Sequence, residues 1–159
     1  MKFLISKDIH SNPNFTLLLG FYSLMMLLYF SGDLFYLSHF FGSNTQEVLS
    51  TLKGNPDEFI EPLSLLSLLE HIHISLFLSI LALFTTMAIV LRIALTHMHK
   101  KLIILISMLS LLISFISLAG TYFLHDVFVY GFIVTTLLWH LSGLYTLAII
   151  LVHLWFKRS

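Results

Sequence analysis

The sequence predicts an all-α polytopic membrane protein: a single domain forming an antiparallel four-helix transmembrane bundle. Composition is the first observation, since 58% of the 159 residues are hydrophobic, only 10% are charged, and the mean hydropathy is +0.96. A soluble domain of this size could not cover that much apolar surface. The second is four apolar runs, each long enough for the roughly 20 residues that a bilayer crossing needs. The third is the brevity of two of the three connections, "HMHKK" and "HD", which forces the neighbouring helices to be antiparallel. Helices are required because a lone strand in lipid would leave its backbone unpaired.

The first span is expected at 14–41. Its apolar run from Phe15 to Phe30 resembles a signal peptide, but no small-residue cleavage site follows. The run continues into "SGDLFYLSHFF", so it is read as a retained helix. A polar, acidic loop at 42–62 comes next, broken by Gly54 and Pro56. The second span is expected at 63–96 with protruding ends, the third at 102–124 and the fourth at 127–156. Lys2, Lys7, Lys100, Lys101, Lys157 and Arg158 fall on one side and Lys53 on the other. The positive-inside rule then places both termini in the cytoplasm and the long loop outside, with Arg92 snorkelling to the inner headgroups.

Several function classes drop out. The net charge is zero, so no basic face points to nucleic acid. The absence of cysteine excludes thiolate metal sites, iron–sulfur clusters and covalent c-type haem. The sequence suggests no serine–histidine–acid set and contains neither a phosphate loop nor a dinucleotide fingerprint, so no catalytic residue is assigned. Nine histidines, six methionines and a few acids remain for chemistry.

With that topology, His39, His71, His73 and His125 lie near the outer boundary, and His10, His97, His99 and His153 near the inner one. His140 lies within the membrane, about 20 Å along its helix from His153. An imidazole at that depth needs a partner. A neighbouring Ser or Thr would serve, and so would the iron of a b-type haem, whose flat apolar ring fills a bundle core. Two haems would call for ligands at two depths on one helix, as His140 and His153 provide, although thirteen residues at about 100° each leave them off a common face.

The second span, "HIHISLFLSILALFTTMAIVLRIAL", carries "IHIS…SIL" and a late arginine, and the last span carries "WH", a second histidine and "WFK". These features resemble the bacterial cytochrome b561 family of four-helix, di-haem inner-membrane proteins. The resemblance covers the helix count, the chain length and these two partial motifs. It implies an outer haem b held by His73 and His140 and an inner one held by His10 and His153, with a quinone or a partner redox protein exchanging electrons. It also implies a bacterial inner-membrane location. Leu76–Phe77 stands near where the family has glycine, and Pro13 suits a first helical turn beyond His10. His97 and His99 therefore stay open as the inner ligand.

A transition-metal site is the competing chemistry. "LEHIH" sets Glu70 and His73 at i, i+3, and His71, His39, His125 and Asp126 could converge with them at the outer surface. "THMHKK" offers His97, Met98 and His99 on the inner side, and Met25, Met26 and Met87 lie near mid-depth. Copper or zinc binding, or a role in oxidase assembly, would follow. Asp33, inside the first span after Ser31 and Gly32, is read as a proton relay or as a protonated structural group. The third expectation is a cofactor-free structural subunit of a larger membrane complex, with Ser, Gly and Thr of the last two spans packing closely, notably Gly120 in "SLAGTYF".

Overall fold

A computed structural model describes residues 13–156. His10, Lys2, Lys7, Lys157 and Arg158 lie outside that range. The described chain is all helix in its regular structure, apart from one isolated β-bridge between Asn55 and Ile60. Four helices are long and apolar enough to cross a bilayer: α1 (Pro13–Phe40), α3 (Leu65–Val90), α4 (His97–Phe123) and α5 (Phe128–Phe156).

Between α1 and α3 the loop forms a small cap. Its short helix α2 (Thr45–Lys53) starts with a reciprocal capping arrangement. The Asn44 side chain accepts from the Glu47 amide at 2.9 Å, and the Glu47 carboxylate accepts from the Ser43 amide at 2.6 Å. Gly42 allows this turn. Its φ is +100°, and a Cβ there would collide with the Glu47 side chain. Val48 and Leu52 turn down from α2 and are buried with Phe41, Leu68, Leu118, Val129 and Phe132. Lys53, at the end of α2, pairs with Asp126 in the α4–α5 turn. The hydrogen bond from Lys53 holds the Asp126 carboxyl below the usual carboxylate range.

The second span is shorter than the expected 63–96. Helix α3 begins after Ser64, whose hydroxyl accepts from the Ser67 amide at 3.1 Å, and it ends at Val90. The six residues Leu91 to Thr96 form a turn in which the Lys100 ammonium donates to the Leu91 carbonyl at 2.8 Å. Thr96 then caps α4, so "HMHKK" is the opening of α4 and not a connecting loop.

The closest packing is between α4 and α5. Ser107, Ser110, Ser114, Ser117 and Thr121 recur at helical spacing along the buried face of α4. Small side chains let the two backbones approach. A Cβ on Gly131 of α5 would lie 2.7 Å from the Ser117 hydroxyl, and one on Gly120 would lie 2.9 Å from the Phe128 ring. Helix α1 rests on α5, with the Phe30 ring seated directly over Gly143. Helices α1 and α3 meet differently, through long side chains. The Tyr22 hydroxyl reaches Thr85 at 2.7 Å and Thr86 at 3.0 Å, and the Tyr29 hydroxyl reaches Ser79 at 3.3 Å.

The core falls into two apolar clusters. One, around Val48, Phe41 and Leu118, lies at the loop end. The other runs from Phe30 and Trp139 to Ile150 and Leu154 at the opposite end. A polar layer lies between them.

Candidate functional site

That layer is centred on Asp33 of α1 and His140 of α5. His140 is only 1% exposed and makes two polar contacts. Its Nδ1 lies 2.7 Å from the main-chain carbonyl oxygen of Thr136, one turn earlier on the same helix. A carbonyl only accepts, so Nδ1 carries hydrogen. Its Nε2 lies 3.0 Å from Asp33 Oδ2. With Nδ1 already protonated, that second contact needs one more proton, held either as imidazolium with carboxylate or as imidazole with carboxylic acid. Both forms are neutral as a pair, which is the form in which ionisable groups are tolerated away from water. The Phe30 ring stands edge-on to the imidazole at 6.1 Å and limits its rotation.

Two spaces meet at Asp33. The smaller is a cavity of about 30 Å³ bordered by Asp33, His71, Ser75, Ser114, Thr136 and His140 among others. Leu37, Leu111, Leu118 and Phe132 make most of its wall apolar, with these polar groups set into it, and it is large enough for a single water. The larger is a groove of about 660 Å³ between α1 and α3, bordered by Tyr29, Asp33, Tyr36, Glu70, His71 and Ser75 among others. Asp33 faces both spaces, and its side chain keeps 18% of its exposure.

His71 also lies between the two spaces, and it is 7% exposed. Its ring stacks on Phe40 at 5.5 Å and on Tyr36 at 5.9 Å, with Phe41 edge-on at 4.8 Å. No hydrogen bond joins its ring nitrogens to any other described residue.

The other residues singled out from the sequence are dispersed. His73 points outward, exposed, although only two positions separate it from buried His71. His39 is exposed and stacks on Phe35. His125 is exposed in the α4–α5 turn, where its Nδ1 accepts from the Val127 amide at 3.5 Å. At the opposite end His97 is exposed, and His99 Nε2 lies 2.9 Å from the Tyr145 hydroxyl. His153 is half-buried in the last turn of α5. Glu70 borders the groove but is itself exposed. Among the described residues no three His, Asp or Glu side chains gather as metal ligands would.

The arrangement does not fit a haem held by His73 and His140. Iron needs a free imidazole nitrogen, and both nitrogens of His140 are engaged. His73 is turned to the surface.

His71 was legible as an inward residue. His71, Ser75 and Ser79 recur every four residues and mark a polar stripe on α3, with Thr136 and His140 repeating that spacing on α5. The pairing of Asp33 with His140 had no such signal, because the two residues are 107 positions apart.

A family model described as a transmembrane helical domain, Aq_1264_TM, matches residues 38–159. The match takes in His71 and His140 and begins after Asp33. No curated protein and no solved structure matches the chain.

Proposed function

The chain belongs to this transmembrane helical domain family, it is an integral membrane protein, and we propose that its Asp33–His140 pair is an intramembrane proton-exchange centre. The observation that carries this reading is the 3.0 Å contact between His140 Nε2 and Asp33 Oδ2, with Nδ1 committed to the Thr136 carbonyl. The pair holds one shared proton and has one partly exposed member, Asp33, through which that proton can enter or leave. The imidazole stays still while the proton moves, because Thr136 and Phe30 hold it.

Infrared difference spectroscopy across a pH titration tests this. The expected result is a carboxylic-acid C=O band that appears on acidification, shifts on deuteration and disappears in Asp33→Asn. A protein in bilayers showing no Asp33-dependent band across the accessible pH range would refute the reading. The expectation of electron transfer through haem b, with quinone or a redox protein as partner, is separated by a second spectrum. A reduced-minus-oxidised b-type α band that disappears in His140→Ala would make His140 an iron ligand and displace the proton-exchange reading.

A further inference from the structure

We infer that the groove between α1 and α3 binds a lipophilic organic cation, an ammonium or onium centre on an apolar body, with the Asp33 carboxylate as its counter-ion in exchange for the proton that Asp33 shares with His140. This rests on the proton-exchange reading and supplies its substrate class.

The charge inventory selects the class. The titratable groups that face Asp33 are Tyr29 and Tyr36 from its own helix, Glu70 and His71 from α3, and His140 from α5, while α4 contributes none. No lysine or arginine borders the groove. An anion would meet two carboxylates there and no fixed cation. A cation meets the carboxylates of Asp33 and Glu70 and the rings of Tyr36 and Phe40, and aromatic faces attract desolvated cations. His71, 7% exposed and without a hydrogen-bond partner among the described residues, is a further polar group bordering the same groove. Its seat among Tyr36, Phe40 and Phe41 holds it in place whether or not the ligand is bound.

The shape agrees. A volume of about 660 Å³ is in the range of small-molecule sites. Leu28, Ile74 and Leu78 supply the apolar wall for the body of such a ligand. The Tyr29–Ser79 and Tyr22–Thr85 hydrogen bonds join α1 to α3 on the side away from the loop. They leave the part of the groove beside Asp33 and His71 to be reached sideways from the bilayer.

The exchange balances in charge and atoms. The cation and the protonated pair become a cation–carboxylate pair, a neutral His140 and one released proton. No other bond forms or breaks.

The test is binding of tetraphenylphosphonium to the full chain in phosphatidylcholine nanodiscs, by equilibrium dialysis between about pH 5.5 and about pH 8.5. The expected result is saturable one-to-one binding that tightens as pH rises, approaching tenfold per pH unit while the pair is protonated, with one proton released. Asp33→Asn should abolish it. Ile74→Trp should block the groove and also abolish it while leaving the carboxyl infrared band in place, which keeps the test informative if Asp33→Asn does not fold. Uptake no greater than in empty nanodiscs, binding indifferent to Asp33→Asn and Ile74→Trp, or equal competition by an uncharged benzoquinone of the same size would each overturn the inference. If onium binding fails while the Asp33 band persists, the cation assignment falls alone. If the band is missing as well, the proton-exchange reading falls with it.

Discussion

A double-mutant cycle on Asp33 and His140 measures what the central contact contributes. Asp33→Ala removes the carboxylate and leaves His140 Nε2 facing the small cavity. An unsatisfied buried polar atom costs about 1–3 kcal/mol. Polar contacts between membrane helices are worth less on average, about 0.6 kcal/mol with a maximum near 1.7. Two features of the structure decide where in these ranges the contact falls. His140 is 1% exposed and held by Thr136, so it cannot turn away to another partner, which raises the value. Asp33 retains 18% exposure, so water from the groove can replace it in part, which lowers the value. We expect a coupling energy of about 1–2 kcal/mol. His140→Ala alone will cost more, because it also opens a cavity beside Phe30 and Trp139. The cycle subtracts that term. The bond to the Thr136 carbonyl lies within one helix and is indifferent to Asp33, so the coupling isolates the Nε2–Oδ2 contact. Steric trapping in bicelles near neutral pH is the assay. A coupling under about 0.3 kcal/mol, within the additivity error for independent sites, would refute the argument that the two groups act as one unit.

Two other perturbations test the packing and the cap. Gly143→Ala should destabilise by about 1–3 kcal/mol in thermal unfolding, because its Cβ would strike the buried Phe30 ring. Gly32→Ala has open space at its Cβ and should be neutral or stabilise by up to about 1 kcal/mol; equal losses at the two sites would contradict the α1–α5 packing. The Lys53–Asp126 pair makes docking of the loop cap acid-sensitive. The Asp126 carboxyl is depressed by Lys53, so its contribution is present above the unfolded value of about 3.9 and is lost as pH falls through the lower folded value. The protection of α2 amides, taken relative to their intrinsic exchange rate at each pH, should therefore fall in acid in the parent chain. Asp126→Asn should show no such pH dependence, and high salt should weaken the effect in the parent.

Composition and periodicity were enough for the four apolar helices, their antiparallel order and a polar loop between the first two, though not for the helix α2 within that loop. Long apolar runs leave no alternative in a bilayer, and "GSNT" and "GNPDE" carry their own turn chemistry. The end of α3 was misplaced by six residues, from Thr96 to Val90, since the apolar pattern continues through Leu91 and Ile93 and the stop depends on Thr96 beginning the next helix. The site was half legible. His140 and Asp33 each stood out as polar groups at a costly depth, but depth alone does not name a partner. The resemblance to a haem protein put His73 forward as the haem ligand, while the metal reading took His71 and His73 together, and neither weighed which of the two turns inward.

By itself, the sequence determined that this chain has four helices long and apolar enough to cross a membrane, and that Asp33 and His140 lie within two of them. That information is one-dimensional: hydropathy and period are sums over neighbours along the chain. Only the tertiary structure decided that His140 faces an acid on the first helix and that a groove opens beside both Asp33 and His71. Those outcomes depend on the rotation of each helix about its own axis. Small residues at the α4–α5 seam and the Phe30–Gly143 contact fix how α1, α4 and α5 meet, and these are contacts between residues on different helices, which hydropathy along the chain does not pair.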